Sequence, residues 1–284
     1  MVAGDTESVA AEKDAEIVLP KGTYLPINRC NLPARILGSL TFQHQPAALQ
    51  IDGVADLHHD LFQRLQGMEY PQQRAQQFSD YMDVHFQLND PGRQGYVQGG
   101  KGRPKASWQR MIRGWFFDTD SREGAVLKSW VESRFGLLPR FHRGAIRDFS
   151  GDTYLRYLEA RSLGLYNTNA LEAQLDLVYS YCQYELSLKA QSHLTLYRGI
   201  NNIEQLEQFK GGRIGNSPDV FLLNNLNSFS SDLERASEFG DRVVEIAVPR
   251  QKVFCFDQLF PQLLNGESEY LVIGGLHSIN NWAL

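Results

Sequence analysis

Apolar positions recur at helical spacing through the first two thirds of the chain and give way to short strand-like runs in the last third. Between residues 54 and 90 they fall at Leu57, Leu61 and Leu65, then at Phe78, Met82 and Phe86. Steps of three and four mark one face of an amphipathic helix. Residues 90–106 are rich in glycine and break the pattern, which predicts a flexible loop. Residues 107–117 and 121–135 read as helices with Trp108, Ile112, Trp115, Val126 and Trp130 turned inward. Asp152 or Thr153 can cap a further helix through Ala160. Asn169 with Glu172 is a capping-box variant ahead of a long helix to about Lys189. Its stripe of Leu171, Leu175, Val178, Cys182 and Leu186 belongs in a core. From Leu194 onward short strands dominate, at 193–198, 226–231, 242–248, 252–256 and 268–273, separated by Gly, Pro and Asn clusters. The expected fold is α+β. A mainly helical portion, residues 16–190, packs on a mixed β core, residues 191–284, as one continuous globular unit. Residues 1–15 are acidic and small and predict a disordered tail.

Composition changes this picture little. The chain has 284 residues, 42% hydrophobic and 21% charged, ordinary for a globular protein with a sizeable core. No apolar stretch approaches the roughly 20 residues that span a bilayer, and the N-terminus lacks a charged-then-apolar signal pattern. Cys30, Cys182 and Cys255 are odd in number and widely spaced. Reduced thiols in a cytoplasm fit them best.

Charge distribution says more. The net charge is −5, yet residues 101–147 hold 11 Lys and Arg against 4 Asp and Glu. That basic middle suits a docking face, part of an anion site, or a solvated helical face. No nucleic-acid motif accompanies it, and the chain overall is acidic.

Chemistry concentrates in three pieces of the last third: Leu196-Tyr197-Arg198-Gly199, Asn227-Ser228-Phe229-Ser230-Ser231 and Gly266-Glu267-Ser268-Glu269-Tyr270. Each sits at or beside an expected strand. Arg198 is always charged, and its planar fork suits phosphate oxygens such as the diphosphate of NAD. Cleaving the nicotinamide bond of NAD builds positive charge on the ribose, and a nearby carboxylate stabilises it. Glu269 is the candidate. Ser228 is the candidate hydroxyl for holding that carboxylate in one rotamer. Along an extended segment side chains alternate with period two, so Glu267 would share the face of Glu269 and meet the incoming nucleophile. Alone, each piece has a plainer reading: a strand-end Arg, a Ser-rich turn, a solvated Glu-x-Glu strand. Their order and strand coupling make the set specific.

Residues 194–275 resemble the ADP-ribosyltransferases of the Arg–Ser–Glu class. That class has an aromatic-Arg-Gly strand, a Ser-x-Ser strand leading into a short helix, and a Glu-x-Glu strand. Here Ser231 to Gly240 resembles the helix, and Val243 to Pro249 the strand that follows it. Phe229 stands where Thr is common. The resemblance implies an ADP-ribosyltransferase-type β core with an NAD cleft. Arg198 would bind NAD phosphate, with Gly199 and Ser230 in the dinucleotide-binding set. Ser228 would orient the catalytic Glu269, and Glu267 would select arginine as acceptor. Across the whole chain, residues Leu25 to Leu40, Tyr81 to Phe86 and Trp108 to Trp115 are most similar to the dinitrogenase reductase ADP-ribosyltransferase branch. That branch modifies an arginine of the nitrogenase iron protein and switches nitrogen fixation off. It implies NAD as substrate, no metal, dinitrogenase reductase as protein substrate and control by a PII-type signalling protein.

Other chemistries find less support. Gly95, Gly100 and Lys101 mimic a Walker A loop, but Gly102 replaces the hydroxyl residue and Pro104 sits where the helix should begin. No Gly-x-Ser-x-Gly elbow occurs. His58 and His59 are adjacent and point apart, while His142 and His193 are isolated, so none has metal-ligand spacing. Two alternatives to the main reading remain: the same transfer onto an arginine of another protein, as in an effector toxin, or a non-catalytic NAD-sensing module.

Overall fold

A computed structural model describes residues 17–88, 107–165, 170–201, 207–209 (backbone only), 219–260 and 268–283. The expected tail 1–15 and the glycine-rich segment up to residue 106 lie outside the described residues. Among the described residues nine helices precede the sheet: α1 (Ala34–Leu37), α2 (Leu40–His44), α3 (Val54–Leu57), α4 (His59–Gln66), α5 (Pro71–His85), α6 (Trp108–Phe117), α7 (Arg122–Phe135), α8 (Asp152–Gly164) and α9 (Leu171–Ser187). The strands are β1 (His193–Ile200), β2 (Glu207–Phe209), β3 (Val220–Ser230), β4 (Arg242–Pro249), β5 (Val253–Phe256), β6 (Glu269–Ser278) and β7 (Asn281–Trp282), with the short helix α10 (Leu233–Ser237) between β3 and β4. No helix among the described residues is long and apolar enough to cross a membrane.

The α+β expectation holds. Where a mixed β core is expected, every pairing among the described strands is antiparallel, in the order β5-β6-β3-β1-β4-β7 with β2 on β3. The five expected strands are present. β3 starts six residues earlier than expected, because Val220 to Leu223 is apolar and buried on both faces, so it shows no alternation to read.

Several helix ends differ from expectation. Leu57 is 74% exposed, although the spacing places it inward. The helix breaks at His58, which closes α3 and opens α4. The break resets the helical phase, and His58 becomes the buried residue, bonded to the Tyr81 hydroxyl at 2.9 Å. Helix α8 has Gly151 rather than Asp152 or Thr153 as N-cap, and Asp152 lies in the first turn, where its charge complements the helix dipole. Helix α9 has Ala170 as N-cap without a side-chain cap; Asn169 is outside the described residues. The α9 stripe of Leu171, Leu175, Val178, Cys182 and Leu186 is buried as expected.

Two buried ion pairs lock α9 to other helices. Arg74 on α5 grips Glu185 through Nε at 2.6 Å and Nη2 at 2.8 Å. Arg134 on α7 grips Asp176 at 2.7 and 2.9 Å, and Trp130 Nε1 donates to the same carboxylate. Helix α9 in turn packs on β5, and apolar residues from both halves of the chain form one buried cluster.

The tie that positions the site is a bulge in β3. Leu223 pairs with Gly275 and Leu226 with Ile273, so Asn224 and Asn225 bulge opposite Gly274. A Cβ on Gly274 would run into the Asn224 carbonyl, so only glycine fits there. Asn225 Nδ2 donates to the Lys128 and Leu137 carbonyls at 2.7 and 3.0 Å. Asn224 accepts from the Arg140 N–H at 2.8 Å and donates to the Phe141 carbonyl at 2.9 Å. The bulge thus spends its side chains on α7 and the segment after it.

Removing one partner of a buried ion pair leaves the other charge uncompensated, at a cost of about 3–5 kcal/mol. Glu185→Ala should lower the unfolding free energy on that scale in urea titrations. Arg74→Met with Glu185→Leu together should lose much less. An unchanged midpoint for the single variant would remove Arg74–Glu185 from the account of stability.

Candidate active site

Strands β1 and β3 meet at one position, Tyr197 opposite Ser230. Toward Ile200 on β1, and back toward Val220 on β3, they no longer pair. A cavity of about 380 Å³ opens there. Arg198, Gly199 and Asn201 line it from the β1 side, and Leu226, Asn227 and Ser228 from β3. Trp115, Asp120, Lys128, Arg140 and Arg147 close it from the helical side.

Of the residues singled out from the sequence, Arg198, Gly199 and Ser228 line the cavity. Half-buried Arg198 donates from Nη1 to the Ser228 carbonyl at 2.6 Å and lies 5.8 Å from the centroid of the Phe229 ring. Burial pulls its pKa down to about 10, and the nearby Glu269 carboxylate opposes that shift. Arg198 still carries its charge at neutral pH.

Ser230 and Glu269 face each other across β3 and β6, and neither is among the residues that line the cavity. Ser228 stands opposite Leu271, one pair further along the same face, so it is a diagonal neighbour of Glu269. The Ser228 hydroxyl accepts from Trp115 Nε1 at 2.9 Å. A hydroxyl has one proton to give and two lone pairs, so this bond leaves the Ser228 proton available to a carboxylate. Ser230 Oγ accepts from the Asp232 N–H at 3.0 Å and tethers the start of α10.

Glu267 lies outside the described residues. β6 begins at Glu269, and Ser268 has φ +53°, so the extended geometry behind period-two alternation stops at Ser268.

Gly199 has a steric reason. A Cβ there would run into the Ala236 carbonyl and the Gly240 amide. Gly240 packs as closely on the Ile200 backbone. The Arg-Gly pair therefore lets the end of α10 press against β1 while Arg198 turns into the cavity.

The helical wall was not singled out residue by residue from the sequence. Lys128 is fully buried and donates to Asp120 Oδ1 at 2.8 Å and to the Phe141 carbonyl at 3.0 Å, with its Nζ 5.7 Å from the Trp115 ring centroid. Burial lowers its pKa, opposed by Asp120. Burial alone would raise Asp120, but Lys128 and the Arg143 N–H outweigh it and hold the carboxyl below its ordinary value. His142 lies 3.3 Å from the Lys128 Nζ. Burial and then the Lys128 charge push its pKa down to about 4. The signal for this wall is the basic excess of residues 101–147, which supplies Lys128, Arg140 and Arg147. Among the described residues no group of His, Cys, Asp and Glu could hold a metal ion.

The His142 shift fixes a pH dependence. Its folded pKa of about 4 lies below its ordinary 6.5, so between these values the unfolded chain binds more protons. Stability from this group is complete above pH 6.5 and falls as pH drops toward 4. His142→Gln should flatten that limb of a melting-temperature profile. An unchanged profile would mean that other groups govern acid unfolding.

Comparison with known proteins completes the description. The family model for dinitrogenase reductase ADP-ribosyltransferase (DRAT) matches residues 27–281. The chain is 40% identical over 255 residues to the NAD(+)–dinitrogen-reductase ADP-D-ribosyltransferase of Rhodospirillum rubrum, covering 87% of this chain and 91% of that protein. No solved structure matches.

Proposed function

The chain belongs to the dinitrogenase reductase ADP-ribosyltransferase family, and from that premise we propose that it moves ADP-ribose from NAD to an arginine of dinitrogenase reductase, switching nitrogen fixation off. The observation that supports this site is that Arg198 and Ser228 line the cavity while Glu269 pairs with Ser230 beside them and acts on the Arg198 charge. The core is read as the ADP-ribosyltransferase type, with the helical portion and the sheet acting as one unit around the cleft.

Arg198, with Gly199 and Ser230 beside it, receives the diphosphate of NAD. Glu269 lies close enough to Arg198 to shift its pKa and faces the nicotinamide ribose. Its charge stabilises the positive charge that develops as the bond between ribose C1′ and the nicotinamide nitrogen breaks. Ser228, its hydroxyl held by Trp115, donates a hydrogen bond to the Glu269 carboxylate and fixes its rotamer. A guanidinium nitrogen of the acceptor then bonds to C1′, nicotinamide leaves, and the guanidinium proton passes to Glu267. That acceptor carboxylate is needed because a free arginine is fully protonated and a poor nucleophile. Control by a PII-type protein belongs to the same reading, supported by the branch resemblance.

The test uses labelled NAD, the purified protein and an extract of nitrogen-fixing cells. One labelled band at the iron protein supports the reading. Label on another protein favours an effector-type enzyme, and no label favours an NAD-sensing module.

Glu269→Gln keeps shape and loses charge. It should cut transfer by at least ~100-fold, the scale of one lost electrostatic stabiliser, while NAD still binds. Near-normal turnover would sink its catalytic role.

Glu267→Gln should abolish arginine modification yet leave slow NAD hydrolysis, because water needs no guanidinium partner. Labelled protein and free nicotinamide can be followed in one assay. Equal loss of both would show that Glu267 does not serve the acceptor.

A further inference from the structure

Ser268 has φ +53°, the left-handed region that side chains other than glycine, asparagine and aspartate rarely enter. It immediately precedes Glu269, the first residue of β6. Two hydrogen bonds clamp it. Its N–H donates to Asp257 Oδ2 at 3.0 Å. Its carbonyl accepts from the Ser231 N–H at 3.0 Å. Asp257 is 6% exposed, and its other carboxylate oxygen accepts from the Gln258 N–H at 2.7 Å. One position earlier, Phe256 and Tyr270 are paired in register, and their rings stack at 5.4 Å and 14°.

We propose that Asp257 is a positioning residue for Glu269, holding Ser268 in the left-handed turn from which the carboxylate-bearing strand starts. This rests on the reading that Glu269 is catalytic. The backbone dihedrals of Ser268 set how the chain enters β6, and so where the Glu269 side chain points. Without an anchor, Ser268 relaxes toward the extended region that serine prefers. The entry into β6 then shifts, and the Glu269 carboxylate shifts with it. A carboxylate suits the anchor, because its two oxygens accept both the Gln258 and the Ser268 N–H. An amide has one acceptor oxygen and would turn an NH₂ toward one of those donors. The Ser231 N–H is the second arm of the clamp, so the end of the Ser-x-Ser strand also helps to aim Glu269.

The test compares Asp257→Asn, Asp257→Asn with Ser268→Gly, Ser268→Pro and Glu269→Gln, using labelled NAD and dinitrogenase reductase. Misplacing a catalytic group by about 1 Å costs on the order of 100-fold. Asp257→Asn is expected to lower kcat between about 10-fold and 100-fold, with NAD affinity by calorimetry and Tm little changed. Adding Ser268→Gly should restore much of that loss, since glycine takes positive φ without an anchor. Ser268→Pro keeps Asp257 but removes the N–H and fixes φ near −65°, so it should lose kcat as well, which guards against misfolding of the Asp257 variant. Unchanged kcat in Asp257→Asn, or a loss that the glycine does not relieve, overturns the proposal. If Glu269→Gln is inactive while Asp257→Asn is normal, only the positioning role falls. If both are normal, the catalytic reading beneath it falls as well.

Discussion

Strand pairing that stops after Tyr197 and Ser230 is the constraint on which the rest of the site depends. Had β1 continued to pair with β3, the end of β1 and the middle of β3 would have closed on each other with no room for a ligand. Parting frees Arg198 from β3, while it stays paired with Val244 on β4, and lets its side chain reach the Ser228 carbonyl. It also needs support, because backbone released from pairing must find other partners or face water. Part of that support comes from β4, which pairs with β1 as far as Ile200. The glycine contact between β1 and the end of α10 supplies more. On the other side, the β3 bulge hands its asparagines to α7 and the segment after it. The cavity is therefore held open by the same contacts that join the sheet to the helices.

Electrostatics follow from that geometry. The basic excess of residues 101–147 is not simply a solvated helical face. Lys128 and Arg134 are buried, and Arg110 and Arg134 are paired with acids of the helices. Lys128, Arg140 and Arg147 line the cavity beside Arg198. A region with this concentration of cations favours an anionic ligand. Asp120, tied to Lys128, keeps one of those charges in place inside the wall.

Much of this was legible in the sequence, in proportion to how local each signal is. Strands near Arg198, Ser228 and Glu269 follow from short apolar runs and their breakers, and the α9 core stripe follows from its period. The motif residues were legible through the resemblance they carry. An expectation resting on phase across a break failed. Leu57 lost its inward place because the helix restarts at His58, whereas Glu267 lies outside the described residues. No glycine or proline stands at that restart to announce it. Apart from Trp115, which its helical spacing turns inward, the helical wall was legible only as a charge excess. Trp115 meets Ser228 across 113 residues and Asn224 meets Arg140 across 84, and no local pattern encodes contacts at that range.

The proposed seat of NAD, where β1 and β3 part, is decided by crystallography of the protein with NAD bound. The account predicts the diphosphate against Arg198, with the nicotinamide ribose turned toward Glu269 and Ser228 between them. Dinucleotide seated elsewhere, for example in the groove between Ile51, Tyr184 and Gln251, with the cleft at Arg198 unaltered, would contradict it.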